Sequence, residues 1–376
     1  MKRLFIVVNI DRFFLSHRKA IALRAQREGF QVTIVTKDSG MFAQIEQLGL
    51  QVINMPMNKS GRDLIEEIQT CNFLYKLYSL HRPDIVHHVG LKSILWGSIA
   101  AKRAGVKGVV NAVSGLGVLF AGEGLSITAR VILLSLRYAL NRKNVAVIFQ
   151  NHEDRDLFER HRIVTPQSIF MTRGSGVDLD EYCYTPEPVS DKVRVLFAAR
   201  MVVDKGLFVL TDAAHMLKDS YGDRVEFILC GALDDNPNAA QKSDLDRVTD
   251  GAYIKWIGHS SNVLAELQAC HIFAFPSYYK EGLPKSLIEA NAVGRPIVTT
   301  DSIGCRDAVV DGYNGYVIPI KRSDLLSERL AALIDNRELR IRMGLRAREF
   351  AELHFSIEDV VAEHIKIYNL LMLNKL

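Results

Sequence analysis

The sequence predicts an α/β protein of two doubly wound, Rossmann-like domains facing one another across a cleft. Three observations carry that prediction. A chain of 376 residues exceeds one comfortable core and suits two domains of roughly 150–200 residues each. Short apolar runs alternate with longer amphipathic stretches, the pattern of a parallel sheet covered on both faces by helices. The alternation lapses at YTPEPVSDK (184–192), where two prolines and the lack of an apolar period mark a linker, and then restarts.

In the first half LFIVVNI (4–10), QVTIVTK (31–37), QVINMPM (51–57), DIVHHVG (84–90), GVVNAVS (108–114), NVAVIFQ (144–150) and SIFMTRG (168–174) read as strands. Helical patterns such as LSHRKAIALRAQREG and LIEEIQTCNFLYKLYSLH lie between them. After the linker the strands are VRVLFAA (193–199), VEFILCG (225–231), YIKWIG (253–258), HIFAFPS (271–277), PIVTTDS (296–302) and GYVIPI (315–320). Helical patterns over 323–335, 338–354 and 357–374 close the chain. The domains are expected at 1–185 and 186–356. Ligands of such sheets bind beyond the carboxyl ends of the strands, so the cleft is the expected site.

Composition narrows the class. A hydrophobic content of 48% with only 10 prolines describes a fully folded chain. The five cysteines are scattered and never in C-x-x-C spacing, which points to reduced thiols in a cytoplasmic compartment and away from a disulfide framework or zinc site. The opening apolar run stops at Asp11 and Arg12, so it reads as a buried strand and not a signal peptide. No stretch reaches the ~18 apolar residues of a membrane span. Charge is uneven: residues 1–150 contain 20 Lys and Arg against 9 Asp and Glu, and the remainder 27 against 34. A basic first half suggests an anionic partner. Interleaved aromatics and RNA-binding motifs are absent, which argues against nucleic acid. No G-x-G-x-x-G follows a strand, which disfavours a nicotinamide enzyme.

The stretch EGLPKSLIEA (281–290) holds the densest chemistry. Pro284 suits a first helical position, and the N–H groups around Gly282, Leu283, Lys285 and Ser286 form a corner fit for phosphate. Glu281 and Glu289 flank that corner. They can equally be helix-surface charges. Arg200 ends one strand and Lys205 starts the next helix, a pair able to neutralise a diphosphate without a metal. Gly231 and Gly258 end two further strands, where backbone could read a nucleobase edge.

Together these stretches resemble the retaining glycosyltransferases of the GT-B fold, family GT4. FPSYYKEGLPKSLIEANAVGRPIVTTDSIGCRDAVVDGYNGYVIP follows that family's signature, AARMVVDKG matches its Arg/Lys segment, and GSGVDLDEY looks like its lead-in to the linker. FFLSHRKA, HHVGLKSILWGSIAAKRAGV and VNAVSGLGVLF look like members that build bacterial surface polysaccharides on lipid carriers. The resemblance implies a nucleotide-sugar donor in the second domain, an acceptor in the first, and a terminal helix (357–376) packed back on the first. It implies that Glu281 lies beside the donor sugar with the Gly282 and Leu283 amides, and that the Lys285 and Ser286 amides hold the diphosphate. Glu289 would bind the ribose hydroxyls, while Arg200 and Lys205 offset charge on the leaving diphosphate. No cofactor and no metal are implied. The chain departs from the family in placing NIDRFFLSHR where many members have a glycine pair.

Asp178-Leu179-Asp180 is formally D-x-D, but it falls in the linker lead-in. Alternation sends His87 and His88 to opposite faces, and either can be structural or, as is assigned here to His88, touch the acceptor. In DRFFLSHRK, Arg12, His17 and Arg18 are expected to meet the diphosphate of a polyprenyl-linked sugar, with Ser16 capping the next helix and Phe13 and Phe14 meeting lipid. The alternative is that the phenylalanines pack on the sheet. The apolar pattern 125–143, with Arg130, Arg137, Arg142 and Lys143, suits a core helix or an interfacial one on anionic lipid. The expected location is cytoplasmic, peripheral on the inner face of the plasma membrane. A sugar-nucleotide 2-epimerase and a non-catalytic sugar-nucleotide binder are the rival functions.

Overall fold

The computed structural model describes residues 2–56, 64–116, 126–234, 238–280 and 282–376, with Leu64 described by its backbone alone. Each apolar run forms a strand. In the first unit these are β1 (Lys2–Ile10), β2 (Phe30–Lys37), β3 (Gln51–Asn54), β4 (Ile85–Val89), β5 (Gly108–Val113), β6 (Val145–Phe149) and β7 (Ile169–Met171). They make one parallel sheet in the order β3-β2-β1-β4-β5-β6-β7. Helices α1 (Asp11–His17), α2 (Lys19–Arg27) and α3 (Phe42–Gln47) cover one face. Helices α4 (Leu64–His81), α5 (Leu91–Ala104), α6 (Ile127–Leu140) and α7 (His152–Arg160) cover the other. Strands sandwiched this way are apolar on both sides, and β4 is buried throughout.

The second unit repeats the plan with β8 (Val193–Ala198), β9 (Val225–Cys230), β10 (Ile254–Gly258), β11 (Ile272–Phe275), β12 (Ile297–Thr300) and β13 (Gly315–Ile318), ordered β10-β9-β8-β11-β12-β13. Its helices are α8 (Leu207–Tyr221), α9 (Lys242–Val248), α10 (Val263–Ala269), α11 (Lys285–Val293), α12 (Ser323–Asp335) and α13 (Arg337–His354). Strand order reverses between β1 and β4 in one sheet and between β8 and β11 in the other. Connections leave such a pair of strands in opposite directions and open a crevice at their carboxyl ends, where ligands bind.

The terminal helix α14 (Ile357–Met372) belongs to the first unit, which comprises Met1–Ser175 and Ile357–Leu376. Val360, Val361, Ile367, Tyr368 and Leu371 join the core beneath β4 and β5, and the Asn144 amide donates to the Leu371 carbonyl at 3.0 Å. The second unit is Gly176–Ser356, so the division falls after Ser175 and not at 185. The reason is electrostatic. Arg348 donates to the carbonyls of Tyr182 (2.8 Å) and Ala292 (3.0 Å), and Arg295 to that of Thr185 at 2.7 Å. Arg340 pairs with Glu187 at 2.7 Å with both side chains over nine-tenths buried. These three arginines hold residues 179–187 against α10, α11 and α13. Proline content and lost periodicity mark the linker's irregular backbone, but they do not show which unit holds it.

Candidate functional site

The sequence-selected residues of the second unit gather around the β8/β11 reversal. Beyond Ala198 the chain turns through Arg200, makes a 3-10 turn at Val203–Lys205 and enters α8 at Gly206. Gly206 has φ +88°, and a Cβ there would stand 2.1 Å from the Pro276 carbonyl oxygen, so only glycine lets the start of α8 lie against the loop after β11. The two loops are also bonded directly. The Asp204 carbonyl accepts the N–H groups of Tyr278 (2.9 Å) and Tyr279 (3.0 Å). On the far side of that loop, Ser302 donates to the Ser277 carbonyl at 2.9 Å and Thr299 to the Phe275 carbonyl at 2.7 Å. The loop between β11 and α11 is therefore held from both sides.

Arg200 is about half exposed and pairs with Asp234 at 2.6 Å. Lys205 is buried, its ammonium 5.5 Å from the Phe275 ring centroid and 5.3 Å from that of Tyr279. Aromatic faces attract a cation electrostatically and fix where it sits. Pro284 stands one residue before α11, as its N-cap with ψ 129°, and not at its first helical position. Its carbonyl accepts the Leu287 and Ile288 N–H groups. The Lys285 and Ser286 N–H groups fall in the first turn, where a helix offers no carbonyl, beside buried Gly282 and Leu283. An anion is favoured there by the aligned peptide dipoles.

Glu289 is buried one turn further on, 3.2 Å from the Lys285 ammonium. Burial, followed by the Glu289 carboxylate that accepts its hydroxyl, raises the Tyr182 phenol. A carboxylate offers about four acceptor positions, so these two partners leave room for ligand hydroxyls. Glu281 lies outside the described residues.

Gly231 and Gly258 end the neighbouring strands. A Cβ on Gly231 would sit 1.7 Å from the Ala199 carbonyl oxygen. Its N–H donates to the Gly258 carbonyl at 2.7 Å, and the Trp256 indole donates to the Gly231 carbonyl at 2.9 Å. What Gly231 supplies is close approach of two strand ends, since its donor is already engaged. Asp178 accepts the Asp180 and Glu181 N–H groups at 3.0 and 3.1 Å, so this D-x-D is a turn. Among the described residues no group of three His, Cys, Asp or Glu side chains is placed to hold a metal ion.

The first unit treats its candidates differently. Helix α1 starts at Asp11, directly after β1, earlier than the pattern suggested. Buried Asp11 accepts from the N–H groups of Arg12 (2.7 Å), Ser39 (2.7 Å) and Met41 (3.1 Å), and from the Ser39 hydroxyl. Burial alone would raise this carboxyl, but those hydrogen bonds lower it overall. Arg12 is exposed, its Nε 3.1 Å from the Ser39 hydroxyl. His17 stacks on Phe13 at 4.1 Å with its Nδ1 2.6 Å from the Ser16 hydroxyl.

Four expectations fail here. Ser16 caps no helix: it lies inside α1, and its hydroxyl returns to the Arg12 and Phe13 carbonyls. Phe14 is core. Arg18 falls one helical turn beyond Phe14 and turns inward with it. It is 2% exposed, and burial lowers its guanidinium to about 10. His88 does not face an acceptor either. Both of its ring nitrogens are occupied in the core, by Asn111 Oδ1 at 2.9 Å and the Tyr78 hydroxyl at 3.1 Å. Burial lowers it to about 4. His87 goes to the opposite face, as alternation requires, with Nδ1 2.7 Å from the Tyr368 hydroxyl on α14.

Sequence reasoning missed Asp11, Tyr182 and Asp234. Each is a polar residue within a few positions of a strand end or the linker, a signal shared by many surface residues. Their distinction is burial or a specific partner, which only the fold supplies.

Comparison with known proteins adds an independent line. The model of the family "Glycosyl transferases group 1" matches residues 186–350, and that of "Glycosyl transferase 4-like" matches residues 3–151. The N,N'-diacetylbacillosaminyl-diphospho-undecaprenol alpha-1,3-N-acetylgalactosaminyltransferase of Campylobacter jejuni is 26% identical over 356 residues, 92% of each chain. The UDP-Gal:alpha-D-GlcNAc-diphosphoundecaprenol alpha-1,3-galactosyltransferase of Escherichia coli is 23% identical, covering 93% of this chain and 91% of its own. Among solved structures, Anabaena HepE in complex with UDP and glucose superposes with a TM-score of 0.78 at 16% identity, over 98% of this chain and all of that one.

Proposed function

Because this chain belongs to the group 1 glycosyltransferases and has their GT-B fold, we propose that it moves a sugar from a UDP-hexose or UDP-N-acetylhexosamine to a sugar carried on a polyprenyl diphosphate, with retention of anomeric configuration. The product would enter surface-glycan assembly at the inner face of an anionic plasma membrane. The observation that carries this reading is the meeting of the Arg200–Lys205 loop with the loop leading into α11, at the carboxyl edge of one sheet.

The donor diphosphate sits on the first-turn amides of α11, with Arg200 and Lys205 beside it. As the bond from the anomeric carbon to the diphosphate oxygen breaks, negative charge grows on that oxygen. Groups already fixed in place stabilise it without reorganising, which lowers the barrier directly. The leaving oxygen takes the acceptor hydroxyl's proton as the hydroxyl attacks from the same face, which retains configuration without a nucleophilic carboxylate. Two cations and a helix start supply the positive charge, so the transfer is metal-independent. Glu289 binds the ribose, and the hydroxyls of the reacting sugar fall, by the family resemblance, to Glu281. Arg12 and His17, on the helix that follows β1, approach the acceptor diphosphate.

The C. jejuni and E. coli relatives bear names that specify acceptors linked through diphosphate to undecaprenol, and the E. coli name also specifies a UDP-sugar. Both support the choice of ligands. The test incubates the purified protein with a panel of UDP-sugars and a short-chain prenyl-diphosphate sugar, with chelator present. UDP release that requires the acceptor, with a disaccharide lipid formed, is expected. An epimerised sugar nucleotide formed without acceptor, or binding with no turnover, would overturn the reading in favour of an epimerase or a binder.

A further inference from the structure

Helix α6 has two apolar faces, and the fold uses one. Ala129, Leu133, Leu136 and Leu140 are buried against the first unit's core. On the opposite side Ile127, Val131, Leu134 and Tyr138 follow one another at helical spacing and are 82%, 54%, 65% and 60% exposed. At 100° per residue the four lie within a narrow stripe. A soluble helix normally places charged side chains there.

The charges of α6 stand beside the stripe instead. Arg130 and Arg137 are both exposed along one flank, and Ile127–Leu140 contains no acidic residue. A third cation comes from α5, where the Lys102 ammonium sits 3.7 Å from the Tyr138 ring centroid. Helices α4 and α6 both follow strands of a parallel sheet, so both start at its carboxyl edge, and the first turns of α4 expose Ile65 and Ile68.

We propose that α6 is an interfacial helix: its apolar stripe enters the acyl boundary of an anionic bilayer while Arg130 and Arg137 meet lipid phosphates. An apolar stripe flanked only by positive charge fits that surface on both counts. A second copy of the chain fits it poorly, because a two-fold contact through the same stripe sets arginine against arginine. The sequence pointed to this segment through four basic residues. One of them, Arg142, faces inward, donating to the Val106 carbonyl at 3.1 Å, and Lys143 lies beyond the end of α6, so the contact rests on the stripe and two arginines. Among the described residues no helix is long and apolar enough to cross a membrane. The inference rests on the transferase reading only for why the enzyme would visit a membrane.

The test uses the full chain with vesicles of phosphatidylcholine alone or mixed with phosphatidylglycerol. Tyr138→Trp should gain a blue-shifted emission with the anionic vesicles only. Val131→Glu combined with Leu134→Glu should weaken co-sedimentation at least about tenfold, because two carboxylates then enter the acyl boundary. That variant should keep the wild-type melting temperature and its transfer to a short-chain acceptor in solution, while losing transfer to an acceptor embedded in vesicles. Arg130→Ala with Arg137→Ala should lose only the salt-sensitive part of binding. Unchanged co-sedimentation of the glutamate variant overturns the proposal. So does a dimer in solution that this variant dissociates, since the stripe is then an interface between copies. Vesicle binding as described, in a protein that transfers no sugar, would instead sink the transferase reading and leave this one standing.

Discussion

The two units handle buried and exposed arginines in opposite ways. In the second, Arg340 is buried against Glu187 at 2.7 Å, and Arg200 stays at the surface beside Asp234. In the first, Arg18 is buried next to His87, His364 and Tyr368, with its Nε making no hydrogen bond among the described residues. A buried cation held by a carboxylate locks one arrangement of chain. Burial keeps those histidines neutral, and a cation shut in with them adds to it. Position decides which fate a residue meets: Arg200 directly follows a strand end, whereas Arg18 is more than a helical turn beyond one, far enough for the helix to rotate it inward.

That contrast can be broken most sharply at the paired site. Glu187→Ala leaves Arg340 charged and buried, and should cost about 3–5 kcal/mol of stability, read as a lower urea midpoint. A loss below about 1 kcal/mol would show that water reaches Arg340 and that the pair does not hold the linker.

Next in size, Arg200→Ala should lower turnover around a hundredfold, about 3 kcal/mol of barrier, with little change in melting temperature. A fall in melting temperature with turnover intact would make the Arg200–Asp234 pair structural.

The first unit's histidines predict a pH dependence. Burial lowers His87 well below its ordinary value, His88 to about 4 and His364 to about 3. Between those values and about 6.5 the unfolded chain binds protons that the folded chain refuses, so stability rises with pH across that window. The slope should approach about 1.4 kcal/mol per pH unit for each histidine, and flatten above about pH 7. Chemical denaturation from pH 4.5 to 7.5 measures it. A flat profile would mean that the histidines are not sealed in.

The smallest effect separates two neighbours. Arg18→Met removes a buried charge at similar volume and should hold or raise stability by about 1 kcal/mol. Arg12→Ala should leave stability alone and raise the acceptor KM. A raised acceptor KM from Arg18→Met with no thermal shift would return Arg18 to the acceptor site.

Legibility followed the same division. Strands were readable because a parallel strand buried on both faces must be continuously apolar; β4 announces itself through Ile85, Val86 and Val89 despite two histidines. The start of α11 was readable to within one residue, because Pro284 and the apolar turns after it constrain the backbone locally. Arg18 and His88 were misplaced because no local rule says which residue of a charged, helical stretch faces inward, or whether a histidine on a strand covered on both faces finds core partners. That depends on what packs above: α14, whose Tyr368 neighbours Arg18 from the far end of the chain, and α4 for His88. The linker's allegiance to the second unit depends on Arg295, Arg340 and Arg348, which stand 110, 153 and 166 residues from the linker groups they hold.

The central claim is that Arg200, Lys205 and the start of α11 hold a nucleotide diphosphate. Calorimetric titration with UDP and with uridine tests it most directly. UDP should bind far more tightly than uridine, and Arg200→Ala and Lys205→Ala should each weaken UDP binding by about tenfold or more while leaving uridine unaffected. Equal affinity for UDP and uridine, or UDP binding indifferent to both substitutions, would contradict the account.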